Sequence, residues 1–146
     1  MIRYYVTAAV LGAGWFIVLL IPPWIRQWLL GDRQVLAWHV AGLALASLVI
    51  AHTFKRWIGS ADSFASHLQR GALLPYAGCL VYLTLFNIVI WLRQLFVGGL
   101  ANLYETFILY PWGLSYALIA GFVVIPYGFL SQILMARSLA AAEPRS

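Results

Sequence analysis

The residues with the strongest potential for chemistry are three histidines. His39 and His52 lie in one long apolar stretch, and His67 follows in a more polar segment. Histidine is costly inside a bilayer and tends to be functional there, and neutral imidazole is a common axial ligand of haem iron. His39 and His52 each lie near an end of the apolar stretch. The competing interpretation is therefore an interfacial or structural role, in which they hydrogen-bond near the headgroups.

Other catalytic patterns are missing from the sequence. It contains no nucleophile elbow, no phosphate-binding glycine loop and no zinc-type spacing of Cys and His. Cys79 lies inside an apolar run, where a small buried hydrophobe is expected. A proton-driven pump is disfavoured, because the four acidic residues lie outside the most apolar stretches: Asp32, Asp62, Glu105 and Glu143. Whether the protein is an enzyme stays open.

The composition indicates that the segments carrying these histidines lie in a lipid bilayer. Hydrophobic residues make up 64% of the chain and charged residues 9%, which is far from soluble composition. About 20 apolar residues are needed to cross the hydrocarbon, and four such stretches occur, at about 4–21, 35–54, 72–92 and 112–135. We expect an all-α membrane protein in which four transmembrane helices form an up-down bundle.

This bundle is expected to form a single domain over residues 1–139, followed by a flexible tail at 140–146. Pro111 suits the start of the last helix, and Pro126 can be tolerated inside it as a kink. The segment 94–110 contains Gly98-Gly99 and Glu105, so it is expected to be interfacial or re-entrant. The segment 60–69, which contains His67, is expected to be a surface turn or an amphipathic stretch.

The basic residues predict the orientation. Six of them flank the two termini and the connection after the second stretch, and three flank the other two connections. Positive charge collects on the cytoplasmic side, so a multi-pass protein of the cell inner membrane with both termini cytoplasmic is expected. The basic residues are scattered between apolar runs, which argues against nucleic-acid binding. The six are Arg3, Lys55, Arg56, Arg70, Arg137 and Arg145, and the three are Arg26, Arg33 and Arg93.

Small and polar residues predict where helices pack. Gly113, Ala117 and Gly121 recur every four residues, a stripe that lets a neighbouring helix approach closely. Thr84 and Asn87 are three residues apart and share a helix face, so they are expected to hydrogen-bond across to another helix.

The segment from residue 38 to about 68 resembles membrane cytochromes of the b type, particularly the cytochrome b subunits of bacterial hydrogenases and related oxidoreductases. The shared pattern is a histidine with a nearby glycine, an apolar run, a second histidine and a basic-aromatic exit, here Lys55-Arg56-Trp57. The resemblance implies haem b, with His39 and His52 as iron ligands and with Lys55 and Arg56 near the propionates.

The histidine spacing departs from that family. Helical residues advance about 100° each, so thirteen positions rotate by roughly 220° and leave His39 and His52 on largely opposite faces. The family's two-haem helix generally spaces its histidines fourteen apart, and fourteen positions before His52 lies Trp38. A second axial ligand would then come from His67, from Met135 or from another subunit.

Two functions are therefore expected as alternatives. The first is an electron-transfer subunit of b-cytochrome type, which works with another membrane subunit or a peripheral redox protein. The second is a small non-catalytic membrane subunit of a transporter or another multi-subunit membrane complex, which associates through its exposed helix faces.

Overall fold

The computed structural model of the protein describes residues 1–19, 26–27, 30–31, 33–97, 110–115, 118–119 and 121–142. Within these ranges all regular structure is helical, which confirms the all-α prediction. In chain order the helices are α1 (Ile2–Gly14), α2 (Phe16–Leu19), α3 (Arg33–Thr53), α4 (Lys55–Gly59), α5 (Phe64–Val97) and α6 (Gly121–Ala140).

Among the described residues, three helices are long and apolar enough to cross a bilayer. Their apolar segments are Leu36–Thr53 in α3, Phe64–Leu92 in α5 and Gly121–Ala140 in α6. The first agrees closely with the predicted stretch 35–54. The predicted stretch 72–92 lies inside the longer α5, and α6 continues beyond the predicted end at 135. Residues 112–115 and 118–119, within the predicted last span, are also helical, and so are residues 110 and 111 just before it.

The predicted first stretch corresponds to α1 and α2. These helices are separated only by Trp15, which keeps right-handed helical angles of φ −60° and ψ −17°. The Trp15 amide donates to the carbonyl oxygens of Leu11 and Gly12, at 3.3 and 3.1 Å. The chain therefore stays nearly continuous in its helical path from Ile2 to Leu19.

For the segment 60–69, where a surface turn or an amphipathic stretch was expected, the structure has a turn at residue 60 and a helix from Phe64. The helix begins at Phe64, so His67 lies in its first turns instead of in a loop. The physical reason is a reciprocal cap, in which the amide of Ser66 donates to Oγ of Ser63 at 3.2 Å and the amide of Ser63 donates to Oγ of Ser66 at 3.1 Å. Such paired bonds satisfy amides that a helix start otherwise leaves without partners.

Two other predicted segments are described only in part. Of the predicted interfacial segment 94–110, residues 94–97 belong to α5 and residue 110 is helical, while 98–109 lie outside the described residues. Of the predicted tail 140–146, Ala140 ends α6, residues 141–142 form a turn, and 143–146 lie outside the described residues.

The helices pack in a closed circuit, in which α1 contacts α3, α3 contacts α5, α5 contacts α6 and α6 contacts α1. Neighbours run antiparallel, as the contacts between Tyr4 and Ala51, His39 and Tyr82, and Gly71 and Gly128 show. The main apolar core therefore gathers at one end of the circuit, where α1 and α5 begin and α3 and α6 end. It consists of Tyr4, Ala8, Ile50, Ala51, Ile58, Leu74, Met135 and Leu139.

The closest helix approach joins α5 to α6 at Gly71 and Gly128. A Cβ added to Gly71 would lie 2.6 Å from the backbone nitrogen of Phe129, so only glycine fits there. Pro75, four residues later, has no N–H to donate to the Gly71 carbonyl. The Cα of Gly128 packs against that carbonyl oxygen, which suits a weak Cα–H···O contact.

The predicted small-residue stripe is only partly a packing surface. A Cβ on Gly113 would lie 2.8 Å from the Leu83 side chain, whereas a Cβ on Gly121 would meet no described atom within 4 Å. Among the described residues, the predicted close approach is therefore shown at Gly113. Ala117 lies outside the described residues.

Candidate functional site

His39 is buried between α3 and α5, with 8% of its surface exposed. Its Nδ1 is hydrogen-bonded to the hydroxyl of Tyr82, and its ring stacks on Phe86 with a centroid distance of 5.5 Å and an interplanar angle of 27°. Both partners lie on α5. The imidazole therefore links the two helices.

His52 lies thirteen residues further along α3 and faces a different helix. Its Nδ1 is 3.1 Å from the hydroxyl of Tyr5 on α1, and the two rings stack at a centroid distance of 6.3 Å. The side chain is exposed on the outside of the α1–α3 pair. The prediction that His39 and His52 lie on different faces is confirmed.

His67 is half-buried near the start of α5, and its Nδ1 is shielded from solvent with no hydrogen-bond partner within the described part of the chain. It donates its backbone amide to the Ser63 carbonyl at 3.0 Å. Of the two predicted propionate-binding residues, Lys55 is half-buried and Arg56 is exposed, both in α4 at the same end of the molecule.

Arg70 makes structural contacts that the sequence did not reveal. Its guanidinium donates to the carbonyl oxygens of Trp57 and Ser60, the latter at 3.4 Å, and lies 5.3 Å from the centre of the Trp57 ring. It therefore fixes the turn between α4 and α5. The thirteen residues that separate Arg70 from Trp57 left no local pattern to detect.

The two predicted haem ligands in α3 do not lie together. His39 is directed at α5 and His52 at α1, so no single cleft receives both rings. Met135, the softer ligand considered above, is packed in the apolar core. Over the described residues, no three side chains among His, Cys, Asp and Glu gather as a metal site. Haem binding by this chain stays a prediction.

The structure also contains a half-open cavity of about 160 Å³, which lies between α1, α3, α5 and α6 and is also lined by Gly113. None of the three histidines is among its lining residues, and most of the lining is apolar. Its polar positions are few, and they include Ser47, Tyr82 and Ser131. Sequence reasoning missed this cavity, because its walls come from helices whose neighbours are defined only by the fold.

The described part of the chain is therefore all-helical, and three of its helices are long and apolar enough to cross a membrane. Comparisons with protein-family models, with curated proteins and with solved structures found no match to this chain.

Proposed function

We propose that this chain is a small non-catalytic subunit of a larger membrane complex. The observation that carries the proposal is that polar side chains within the helices hydrogen-bond to neighbouring helices of the same chain. Tyr4 donates to the carbonyl of Ala51 at 2.8 Å, and Tyr127 donates to that of Leu11 at 2.9 Å. These bonds, like the pairing of His39 with Tyr82, connect one helix to another and so stabilise a scaffold.

The proposal includes four spans with both termini cytoplasmic in the inner membrane. The nearly continuous α1–α2 segment packs against α3 and α6 as a fourth member of the circuit. The antiparallel order brings five of the six basic residues named above to one end, with Arg145 outside the described residues. Reporter domains fused after residue 59 and after residue 142 should both be cytoplasmic, and a periplasmic signal from either fusion would contradict this topology.

The outward-facing Tyr5–His52 pair supports contact with a protein partner. The exposed imidazole of His52, next to the half-buried phenol of Tyr5, offers directional hydrogen bonds that lipid tails do not use. Lys55 follows His52 by three residues, and it is the only lysine in the sequence. An amine-reactive crosslinker therefore reports on this region and on the N-terminal amine alone.

The test is purification of the chain from its own cells at native expression level, in mild detergent and after crosslinking. We expect a stoichiometric membrane partner crosslinked through Lys55. The matched variant Lys55→Arg keeps the charge and should lose that crosslink while keeping the partner. A homogeneous monomer without crosslinks would overturn the proposal.

A second candidate, the electron-transfer subunit, rests on the geometry of His52. Its Nδ1 is occupied by Tyr5, and its Nε2 has no hydrogen-bond partner among the described residues. Metal-ligating histidines commonly have the other ring nitrogen fixed by such a bond. A haem ligated here would take its second axial ligand from the partner subunit.

The reduced-minus-oxidised absorption spectrum of the purified complex separates the two candidates. A haem b spectrum that is lost in His52→Ala and kept in the control His67→Ala would establish the electron-transfer role. A stable complex without pigment would leave the non-catalytic subunit as the function.

A further inference from the structure

The central cavity has the size and lining of a binding site for a small apolar molecule. Its volume of about 160 Å³ is close to that of an engineered apolar cavity that binds benzene. Along α5 its lining runs from Leu74 to Leu83, which corresponds to about 14 Å of helix. The rings of Trp15 and Tyr82 form part of the wall. No charged side chain lines it among the described residues, so an uncharged ligand is favoured.

A second and independent observation is the hydroxyl of Ser131. This residue lines the cavity and is 5% exposed, and its Oγ has no hydrogen-bond partner within the described part of the chain. Hydroxyls in helices usually donate to a carbonyl of the preceding turn. Thr7, Thr84 and Ser138 do so, at 2.8 to 2.9 Å. Ser131 differs from all three.

Leaving a buried hydroxyl without a hydrogen bond is unfavourable, so a ligand that supplies the missing bond is favoured over a purely apolar one. We propose that the cavity binds one uncharged lipophilic ring compound bearing a hydroxyl or carbonyl oxygen, and that this oxygen hydrogen-bonds to Ser131. The aromatic walls receive the ring. This inference does not depend on the proposed function, because the residues that line the cavity belong to this chain and no partner subunit is needed to form it.

Cys79 provides a reporter, since it is the only cysteine in the sequence and lines the cavity. The full chain in lipid nanodiscs is alkylated with N-ethylmaleimide in the presence of 4-ethylphenol or of 4-ethyltoluene, which differ by a hydroxyl in place of a methyl group. We expect 4-ethylphenol to slow alkylation. The concentration of 4-ethyltoluene that gives the same protection should be roughly fivefold higher than that of 4-ethylphenol, as the loss of one neutral hydrogen bond predicts. In Ser131→Ala this difference should disappear.

Gly78 allows the cavity to be filled without a clash. A Cβ there would meet no described atom within 4 Å, and Gly78 lines the cavity. Gly78→Leu should therefore abolish the rise in unfolding temperature that 4-ethylphenol produces in the wild type. The matched control is Gly121→Leu, which also places its Cβ in open space but lies outside the cavity lining, and it should keep that rise. Unfolding temperature is used here because the substitution adjoins the reporter thiol.

Three results would overturn the proposal. The first is alkylation of the wild type at the same rate with and without 4-ethylphenol. The second is equal protection by both compounds, which would indicate a purely apolar occupant such as an acyl chain. The third is a ligand-induced temperature rise that survives Gly78→Leu, which would indicate partition into the lipid. If Gly78→Leu does not fold, the comparison of wild type with Ser131→Ala decides alone.

Discussion

Replacing Gly71 by alanine tests the close contact between α5 and α6. The added Cβ would lie 2.6 Å from the backbone nitrogen of Phe129 and nearer still to its Cα, whereas ordinary contacts begin at 3.4 Å. Backbone atoms cannot rotate away as a side chain does, so the two helices must separate. Overpacking of this kind costs about 1–3 kcal/mol.

The same substitution also changes helix propensity, and a matched variant removes this effect. Gly78→Ala lies two turns further along α5, and its Cβ would meet no described atom within 4 Å. Both variants gain up to about 1 kcal/mol because alanine favours a helix more than glycine does. The difference in the free energy of unfolding between them therefore isolates the steric cost, which we expect to be about 1–3 kcal/mol.

The assay is reversible unfolding in mixed micelles of sodium dodecyl sulfate and a mild detergent, followed by tryptophan fluorescence. A difference of about 1.4 kcal/mol corresponds to a tenfold change in the unfolding equilibrium constant, which is readily measured. If Gly71→Ala were as stable as Gly78→Ala, the helices would not approach each other at Gly71 and the packing described here would be wrong.

The remaining predictions use the same unfolding assay except where stated. Tyr4→Phe removes the buried hydrogen bond from α1 to α3 and should cost about 1 kcal/mol; an unchanged stability would contradict that bond. Tyr82→Phe and His39→Leu, made singly and together, should show a coupling free energy of about 0.6 kcal/mol, which is typical of hydrogen bonds between membrane helices. Strictly additive effects of the two substitutions would refute the hydrogen bond between these residues. Arg70→Lys should accelerate amide hydrogen exchange in residues 57–63, because lysine lacks the planar fork that bonds two carbonyls, whereas exposed Arg137→Lys should leave that exchange unchanged.

The helical architecture was predictable because hydrocarbon imposes it. An apolar stretch of about 20 residues must satisfy its backbone hydrogen bonds internally, so its length alone predicts a helix. The opposite directions of His39 and His52 followed from the rotation per residue and needed no knowledge of the neighbouring helices. The start of α5 was harder, since Asp62, Ser63 and Ser66 looked like a polar turn. The Ser63-x-x-Ser66 spacing was nevertheless a usable capping signal.

The candidate sites depended on pairings between helices that no local pattern encodes. The same residue type has different surroundings at different positions. Gly71 and Gly128 are packed against backbone, whereas a Cβ at Gly78 or Gly121 would meet no described atom within 4 Å. Ser131 likewise looks like any helical serine until the cavity beside it is seen. Which of these residues matter is decided by which helices become neighbours.

The position of α6 at the end of the described helices has a consequence for biosynthesis. Gly128 covers the Gly71 carbonyl, Tyr127 donates to the Leu11 carbonyl, and Gln132, which is fully buried, donates to the Ile58 carbonyl at 3.1 Å. Until α6 leaves the translocon, the Gly71 and Ile58 carbonyls lack these partners, and unsatisfied groups are costly in lipid. The Leu11 carbonyl keeps its bond from the Trp15 amide. A nascent chain stalled before Gly121 should therefore be held by insertion chaperones or degraded by membrane proteases, and release should coincide with arrival of the last helix.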